Sequence, residues 1–144
     1  MREILFRGKS DIHTDRRWVY GVPVPVVLNG YLTDRIDMVH THSYDEDDLF
    51  SLCSDDTPVD PKTIGEYSGL NDQYGVKKFE GDIFRLEGNG SLYKVIFEGC
   101  RWMIEGVSKE RYGIRLRLWP GIADAGEVVG NIYDNPEMIY RWED

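Results

Sequence analysis

The apolar residues of this chain fall into short runs closed by glycine, and this pattern predicts a protein built from short β-strands. Residues 3–7 and 17–20 form two such runs, which end at Gly8 and Gly21. Short apolar runs bounded by turn residues are typical of strands. No segment keeps a helical spacing of apolar residues over as many as ten positions, so no long helix is expected.

The clearest turn signal is Asn29-Gly30, which lies between the apolar residues 26–28 and 31–32. An Asn-Gly pair tolerates positive φ at both central positions of a tight turn, so it predicts a β-hairpin here. Pro23 and Pro25 lack an amide hydrogen and cannot donate to a strand ladder. The run at residues 22–28 is therefore expected on the edge of a sheet or outside a central strand.

The second half of the chain predicts a meander of short strands followed by a helical turn. Glycine turns separate the first three predicted strands, and strict alternation at residues 114–118 predicts a further strand with three aliphatic side chains on one face. Asn135 is predicted to cap a short helix that begins at Pro136. The first three predicted strands are residues 83–86, 92–97 and 102–105, and the last predicted strand is residues 127–133.

Length and composition place these strands in one domain. The chain has 144 residues, of which 41% are hydrophobic, which is enough for a core without metal or disulfide support. We predict a mainly β fold with a small barrel-like, SH3-like or sandwich core of short strands and one or two short helices. Residues 1–144 are expected to form a single domain.

Charge is unevenly distributed and limits the classes of partner. Acidic residues outnumber basic ones by 26 to 17, and the net charge is −9. Eight acidic residues and no basic ones fall within residues 36–61. Binding to duplex DNA requires Lys or Arg to neutralise several phosphates. General duplex DNA binding is therefore disfavoured, while a small basic face stays open.

The amino terminus and the apolar runs predict a soluble, cytoplasmic protein. No apolar run approaches the roughly 20 residues that span a bilayer. The apolar part of residues 1–7 is also too short for a secretory signal. No membrane partner is expected.

An acidic loop insert is predicted at about residues 41–61, where the strand pattern stops. Residues 49–52 follow four acidic residues and predict a short helix with acids at the positive end of its dipole. Asp45, Asp47 and Asp48 lack the spaced ligands, central glycine and distal glutamate of a calcium loop. A solvated acidic loop is the preferred interpretation.

Histidines and cysteines do not form a recognisable metal motif. His40 and His42 would share one face of a strand and offer two ligands to zinc or iron, but no third ligand is evident. Cys53 and Cys100 are too few for a disulfide framework. Reduced thiols are expected, and whether the two ever pair stays open. We predict no metal and no cofactor.

Glu80-Gly81-Asp82 precedes a predicted strand and has two interpretations. Two carboxylates beside a glycine could act as acid and base in a small hydrolase. Alternatively, Gly81 adopts a backbone conformation that other residues resist, and Asp82 accepts hydrogen bonds from neighbouring amides. The turn is the preferred interpretation, because strand entries commonly need this chemistry.

Arg115, Arg117 and Trp119 are predicted to project from one strand face by the period-two rule. Guanidinium groups beside an aromatic ring could bind single-stranded nucleic acid, because bases stack on such rings. The other interpretation, which we prefer, is that Trp119 packs as a lid over the core, because large aromatic side chains are usually buried.

Several segments resemble the YopX family of phage and prophage proteins in order and spacing. The resemblance implies a mostly β fold with a small barrel-like core and a gene carried by a bacteriophage or integrated element. It implies no reaction and no catalytic residues. The matching segments are residues 1–9 (MREILFRGK), 18–21 (WVYG), 63–70 (TIGEYSGL), 79–83 (FEGDI) and 129–137 (VGNIYDNPE).

The leading hypothesis is a non-enzymatic phage accessory protein that acts by binding, because no catalytic set is assembled in the sequence. Self-association into a homo-oligomer is expected, since sheet-rich domains with proline-marked edges often pair. A protein partner is also compatible. The alternatives are a nucleic-acid-associated regulator that uses Arg115, Arg117 and Trp119, and a small hydrolase that uses Glu80 and Asp82.

Overall fold

The computed structural model describes residues 3–11, 16–39, 57–88 and 90–141. Most of these residues lie in strands, and every strand pair is antiparallel. The chain divides into two compact units, residues 1–66 and residues 67–144. The mainly β class predicted from the sequence is confirmed. The single-domain expectation stays a prediction.

The amino-terminal unit is a meander with a small core. Its strands pair in the order β4-β3-β2-β1, and β1 also pairs with Gly65 and Glu66 at the start of β5. Val19, Met38 and Val59 are buried together from three different strands. The strands are β1 (Phe6–Lys9), β2 (Trp18–Leu28), β3 (Tyr31–Val39), β4 (Thr57–Val59) and β5 (Gly65–Asn71).

A hairpin arm, defined as residues 22–35, extends beyond the other ladders of this unit. β1 pairs with β2 only as far as Gly21, and β4 pairs with β3 only from Ile36 onward. The arm turns at Asn29 and Gly30, which have φ values of 51° and 80°. The predicted hairpin at this dipeptide is therefore confirmed, and among the described strands residues 22–28 pair with β3 alone, as the predicted edge position requires.

The carboxyl-terminal unit contains an antiparallel sheet in the order β10-β9-β8-β7-β11. One face covers a core made chiefly of Phe84, Tyr93, Val95 and Ile104. The remaining residues of β5 pair with β6 in the same unit. The strands are β6 (Lys77–Phe79), β7 (Asp82–Leu86), β8 (Leu92–Glu98), β9 (Arg101–Gly106), β10 (Arg115–Arg117) and β11 (Gly126–Asn131).

The predicted meander at residues 83–105 is confirmed as β7, β8 and β9. The predicted barrel-like core is wrong. β10 and β11 lie at the two ends of the sheet of the carboxyl-terminal unit, and the described strands close no barrel. A barrel would need the end strands to pair with each other.

Helices are short throughout the described part of the chain. Its single α-helix is α1 (Pro120–Ala123). Asn135 is the N-cap residue at Pro136, as predicted, although its side chain makes no capping hydrogen bond. A 3-10 helix does begin at Pro136, but the side-chain oxygen of Asn135 accepts instead from the Asn131 amide at 3.2 Å. The 3-10 helices are Pro61–Thr63, Lys109–Arg111 and Pro136–Met138.

No described helix has the length and apolar character needed to cross a lipid bilayer. The short helix predicted at residues 49–52 lies outside the described residues. Residues 41–56 of the acidic loop insert also lie outside them, so both stay predictions. The part of the insert at residues 57–59 is not a loop, because it forms β4 and pairs with β3.

Candidate functional site

A surface patch on β9 and β10 unites the predicted Arg115, Arg117 and Trp119 with two further residues. We call this the β9–β10 patch and define it by Arg101, Met103, Arg115, Arg117 and Trp119. Arg115 pairs with Glu105, and Arg117 pairs with Met103. Side chains at directly paired positions point to the same face of a sheet, so these residues share the face opposite the core.

The same register continues past the end of β10. The amide of Leu118 donates to the carbonyl of Trp102 at 3.1 Å, and Leu118 is buried in the core. Trp119 has extended backbone angles and therefore follows on the outer face, opposite Arg101. The patch thus places Arg101 and Arg117 on one diagonal, and Met103 and Trp119 on the other.

Arg115 is the neutralised cation of the patch. Its guanidinium donates to Glu105 at 2.9 Å and to Glu98. The hydrogen bond to Glu105 and the charge of Glu98 raise the pKa of Arg115 above its ordinary value. These contacts are exposed to solvent, so they orient the side chain more than they stabilise the fold.

Arg101 and Arg117 are the uncompensated cations of the patch. Both side chains are exposed, and neither is hydrogen-bonded or ion-paired within the described residues. A surface pocket of about 280 Å³ lies beside them, lined by Glu98, Gly99, Arg101, Met103 and Arg115. The pocket is therefore flanked by the free guanidinium group of Arg101 and by the Arg115–Glu98 ion pair.

Trp119 does not cover the core. Its residue is 53% exposed, and the indole ring rests against the backbone of Gly121, where a built Cβ would lie 2.4 Å from Cη2. A side chain at position 121 would therefore displace the ring. The preferred lid interpretation is wrong, and the indole instead lies at the surface beside the start of α1.

The Glu80–Asp82 segment has the geometry of a tight turn. Gly81 has a φ of 90°, and Oδ2 of Asp82 accepts from the Phe79 amide at 2.8 Å. Asp82 is only 2% exposed, whereas Glu80 is half-buried. These are the contacts expected from the turn interpretation. Catalysis by the two carboxylates stays a prediction without structural support.

A buried lysine that sequence reasoning missed lies beside this turn. Lys78 is fully buried, and its Nζ donates to the Ala123 carbonyl at 3.1 Å. The same atom lies 3.8 Å from the centroid of the Phe84 ring. Burial lowers the pKa of Lys78 to about 8, against the attraction of Asp72, Asp124 and Asp82.

Asp72 is the nearby carboxylate that organises the loop between β5 and β6. Its Oδ1 accepts from the amides of Tyr74 and Val76 at 2.8 and 2.9 Å, and Oδ2 accepts from Val128 at 2.9 Å. Burial works against the charged form, but these three donors and Lys78 hold the pKa of Asp72 below its ordinary value.

The histidine pair and one cysteine fall outside the structural description. His40, His42 and Cys53 are not among the described residues, so the metal hypothesis and a bridge to Cys100 stay untested. Cys100 itself is a free, exposed thiol at the β8–β9 turn. Within the described ranges, no three potential metal-ligating side chains lie together.

The fold and its exposed patches define a mainly β protein whose candidate sites lie on open surfaces. Residues 28–140 match the family model described as YopX protein, and the chain belongs to the YopX family. This confirms the resemblance inferred from the sequence. A comparison with curated proteins gave no match.

Sequence reasoning missed Arg101 because the predicted strand began at Trp102, and it placed Met103 in that strand without assigning it to a site. The signal that could have found them is the Gly99-Cys100 pair, which predicts a two-residue hairpin turn and therefore a register. Gly99 and Cys100 have φ values of 60° and 63°, and Glu98 pairs with Arg101 across the turn. Counting from that pair places Arg101 and Met103 on one face.

Proposed function

We propose that this YopX protein is a phage- or prophage-encoded accessory protein that works in the cytoplasm and acts by binding. We further propose that it self-associates, and that two copies meet through the hairpin arm. The phage origin rests on the family resemblance. The binding role is supported by the buried ionisable groups Lys78, Asp72 and Asp82, which hydrogen-bond to backbone atoms and so help to hold the fold together.

The observation that carries this proposal is the apolar surface at the tip of the arm. Leu28 pairs with Tyr31, and Val27 pairs with Leu32. Tyr31 is 78% exposed and Leu32 is 74% exposed. Neighbouring pairs point to opposite faces of a hairpin, so the tip presents an apolar pair on each side. Contiguous exposed apolar surface of this kind marks interaction sites.

A second copy of the chain is the occupant that we favour. The two pairs expose roughly 500 Å² in each copy, but they lie on opposite sides of the hairpin, so a two-fold contact through one side would bury roughly 500 Å² in total. An area of this size is that of a weak, transient contact. A two-fold contact also needs no further surface, because the same patch serves both copies.

The arm is better suited to pairing by its faces than by its edge. Pro23 and Pro25 lie on the part of β2 that β1 leaves unpaired. Proline is tolerated in a ladder where its nitrogen points away from the partner strand, so both proline nitrogens should point to the open edge. Another strand would find no donor there.

Sedimentation velocity from about 1 µM to about 1 mM tests the proposal. We expect the mass of the wild-type protein to rise toward that of a dimer, while the double variant Leu28→Ser/Leu32→Ser stays monomeric. The matched control is Val76→Ser/Ile114→Ser, which removes exposed apolar side chains elsewhere. A wild-type monomer throughout, or equal association of the arm variant, would refute self-association through the arm.

A nucleic-acid-associated role is the second candidate function. The observation that favours it is the register of β9 and β10, which brings Arg101 opposite Trp119 and places Arg117 on the same face. This role needs a different surface from the hairpin arm, and the two proposals stand or fall separately.

A further inference from the structure

We infer that the β9–β10 patch binds single-stranded nucleic acid. In this arrangement Arg101 and Arg117 contact backbone phosphates, and a base stacks on the exposed face of Trp119. The inference makes the second candidate function specific by adding Arg101 and Met103 to the residues expected from the sequence. It does not rest on self-association through the hairpin arm.

Trp119 is an exposed aromatic ring that is restrained by a neighbour. The six-membered ring of its indole lies against Gly121, and the residue as a whole stays 53% exposed. The contact with Gly121 restrains the ring, while the exposed part remains available to a flat apolar group. An aromatic ring held in this way is a stacking platform for an unpaired base.

The two free guanidinium groups of the patch are available to bind phosphates. Arg101 and Arg117 occupy diagonal positions on neighbouring strands, and such positions lie about 7–8 Å apart. Neither side chain has a partner among the described residues. By contrast, Glu98 and Glu105 already occupy Arg115. The patch can therefore neutralise two phosphates by direct contact.

The net charge of the chain determines which nucleic acid fits. With a formal charge of −9, the protein repels polyanions at a distance, so binding must come from local contacts. Two free arginines are too few for duplex coating, which relies on many phosphate contacts. A single strand offers exposed base faces as well as phosphates, and Trp119 can use only the former.

An acidic protein segment is the competing occupant of the β9–β10 patch, and the exposed Trp119 and neighbouring Met103 argue against it. Carboxylates would engage Arg101 and Arg117 equally well. They would make no use of the exposed indole of Trp119 or of the half-buried Met103 beside the pocket. Unpaired bases use both the cations and the apolar positions.

Fluorescence anisotropy with a labelled oligothymidylate of mixed flanking sequence tests the inference. We expect wild-type binding at about 50 mM salt that weakens about sevenfold by about 200 mM, as two phosphate contacts predict. Trp119→Ala should weaken binding at least about fivefold at both salt concentrations, because stacking is not ionic. The duplex of the same sequence should bind more weakly than the single strand.

The charge test uses matched double variants. Arg101→Gln/Arg117→Gln should lose most of the low-salt affinity and most of the salt dependence. The control Arg85→Gln/Arg111→Gln changes the net charge by the same amount at exposed positions outside the patch and should bind like wild type. If the glutamine patch variant unfolds by circular dichroism, Arg101→Lys/Arg117→Lys should still preserve the salt dependence.

Three results would overturn the inference. One is the absence of wild-type binding at low salt, where phosphate contacts are strongest. Another is an equal loss of affinity in the patch and control variants, which would indicate that binding depends on the net charge of the protein and not on the patch. The third is full displacement of the oligonucleotide by equimolar polyglutamate together with no effect of Trp119→Ala, which would indicate an acidic protein partner.

Discussion

The buried ammonium group of Lys78 should make the stability of this protein depend on pH in a measurable way. The perturbation is Lys78→Met, which keeps an unbranched apolar side chain of similar length and removes the ionisable group. Lys78 is fully buried, with a pKa lowered by burial to about 8. We expect the stability of Lys78→Met minus that of wild type to be larger at neutral pH than at alkaline pH.

The magnitude follows from the difference between the folded and unfolded pKa values. A shift from the ordinary 10.5 to about 8 corresponds to about 3 kcal/mol of unfavourable charge burial below pH 8. Between about pH 8 and pH 10.5 the unfolded chain holds more protons than the folded one. The free energy of unfolding of the wild-type protein therefore rises with pH across this window through the Lys78 contribution.

Urea denaturation from about pH 7 to about pH 10.5 measures this effect as a difference between the two proteins. The stability of Lys78→Met minus that of wild type should fall by about 3 kcal/mol over the window. Taking the difference cancels other groups that titrate in both proteins, as well as the constant loss of the bond to Ala123. Lys77→Met is the control, because that side chain is only half-buried.

The reasoning would be refuted by a difference that stays flat over this pH range or grows with pH. A flat result would show that the folded and unfolded pKa values of Lys78 are alike, as they would be if its ammonium group reached water. A slope of equal size in Lys77→Met would show that the effect is not specific to the buried position.

Two further predictions concern packing and hydrogen bonding in the carboxyl-terminal unit. Asp72→Asn should lower the free energy of unfolding by about 2–3 kcal/mol by urea denaturation, because one amide oxygen cannot replace two carboxylate oxygens that accept three amides. The lowered pKa of Asp72 also stabilises wild type above about pH 4, and this contribution is lost as pH falls through the folded pKa. If Asp72→Asn lost stability in acid as steeply as wild type, this role of Asp72 would be contradicted. Gly106→Ala should destabilise by about 1–3 kcal/mol in thermal melts, since its Cβ would lie 1.8 Å from the Arg111 carbonyl oxygen. The control Gly8→Ala meets only side-chain carbons at 3.1–3.3 Å, and an equal loss there would contradict the argument.

Turn chemistry is the part of this fold that the sequence predicts best. Asn29-Gly30 and Gly81 require positive φ, and few residue types satisfy that requirement. Because their backbone preferences are local, they predict the turn without knowledge of the rest of the chain. The same holds for Pro23 and Pro25, whose missing hydrogens are a property of the residue itself.

Burial of polar residues is the part that sequence patterns could not predict. The first strand was expected at residues 3–7, but β1 is Phe6–Lys9. Arg7 and Lys9 are buried in it, with their cationic groups 4.2 and 4.7 Å from the centroid of the Trp18 ring. Lys78 is the same case, because a lysine reads as a surface residue until tertiary contacts enclose it.

The site could be predicted only in part, because its members come from two strands. Arg115, Arg117 and Trp119 share one stretch of sequence, so the period-two rule finds them. Arg101 joins them through the pairing of β9 with β10, and pairing partners depend on the whole sheet. A pattern read along one segment carries no information about its neighbour.

The two prolines of the hairpin arm limit how far association can proceed. A strand edge with its full set of donors would let copy after copy add on, and the product would be an open-ended fibre. Pro23 and Pro25 remove two donors from the edge of the arm, so this route is blocked at that edge. Self-association through the arm, as proposed above, would therefore use the apolar faces of the tip rather than its edge.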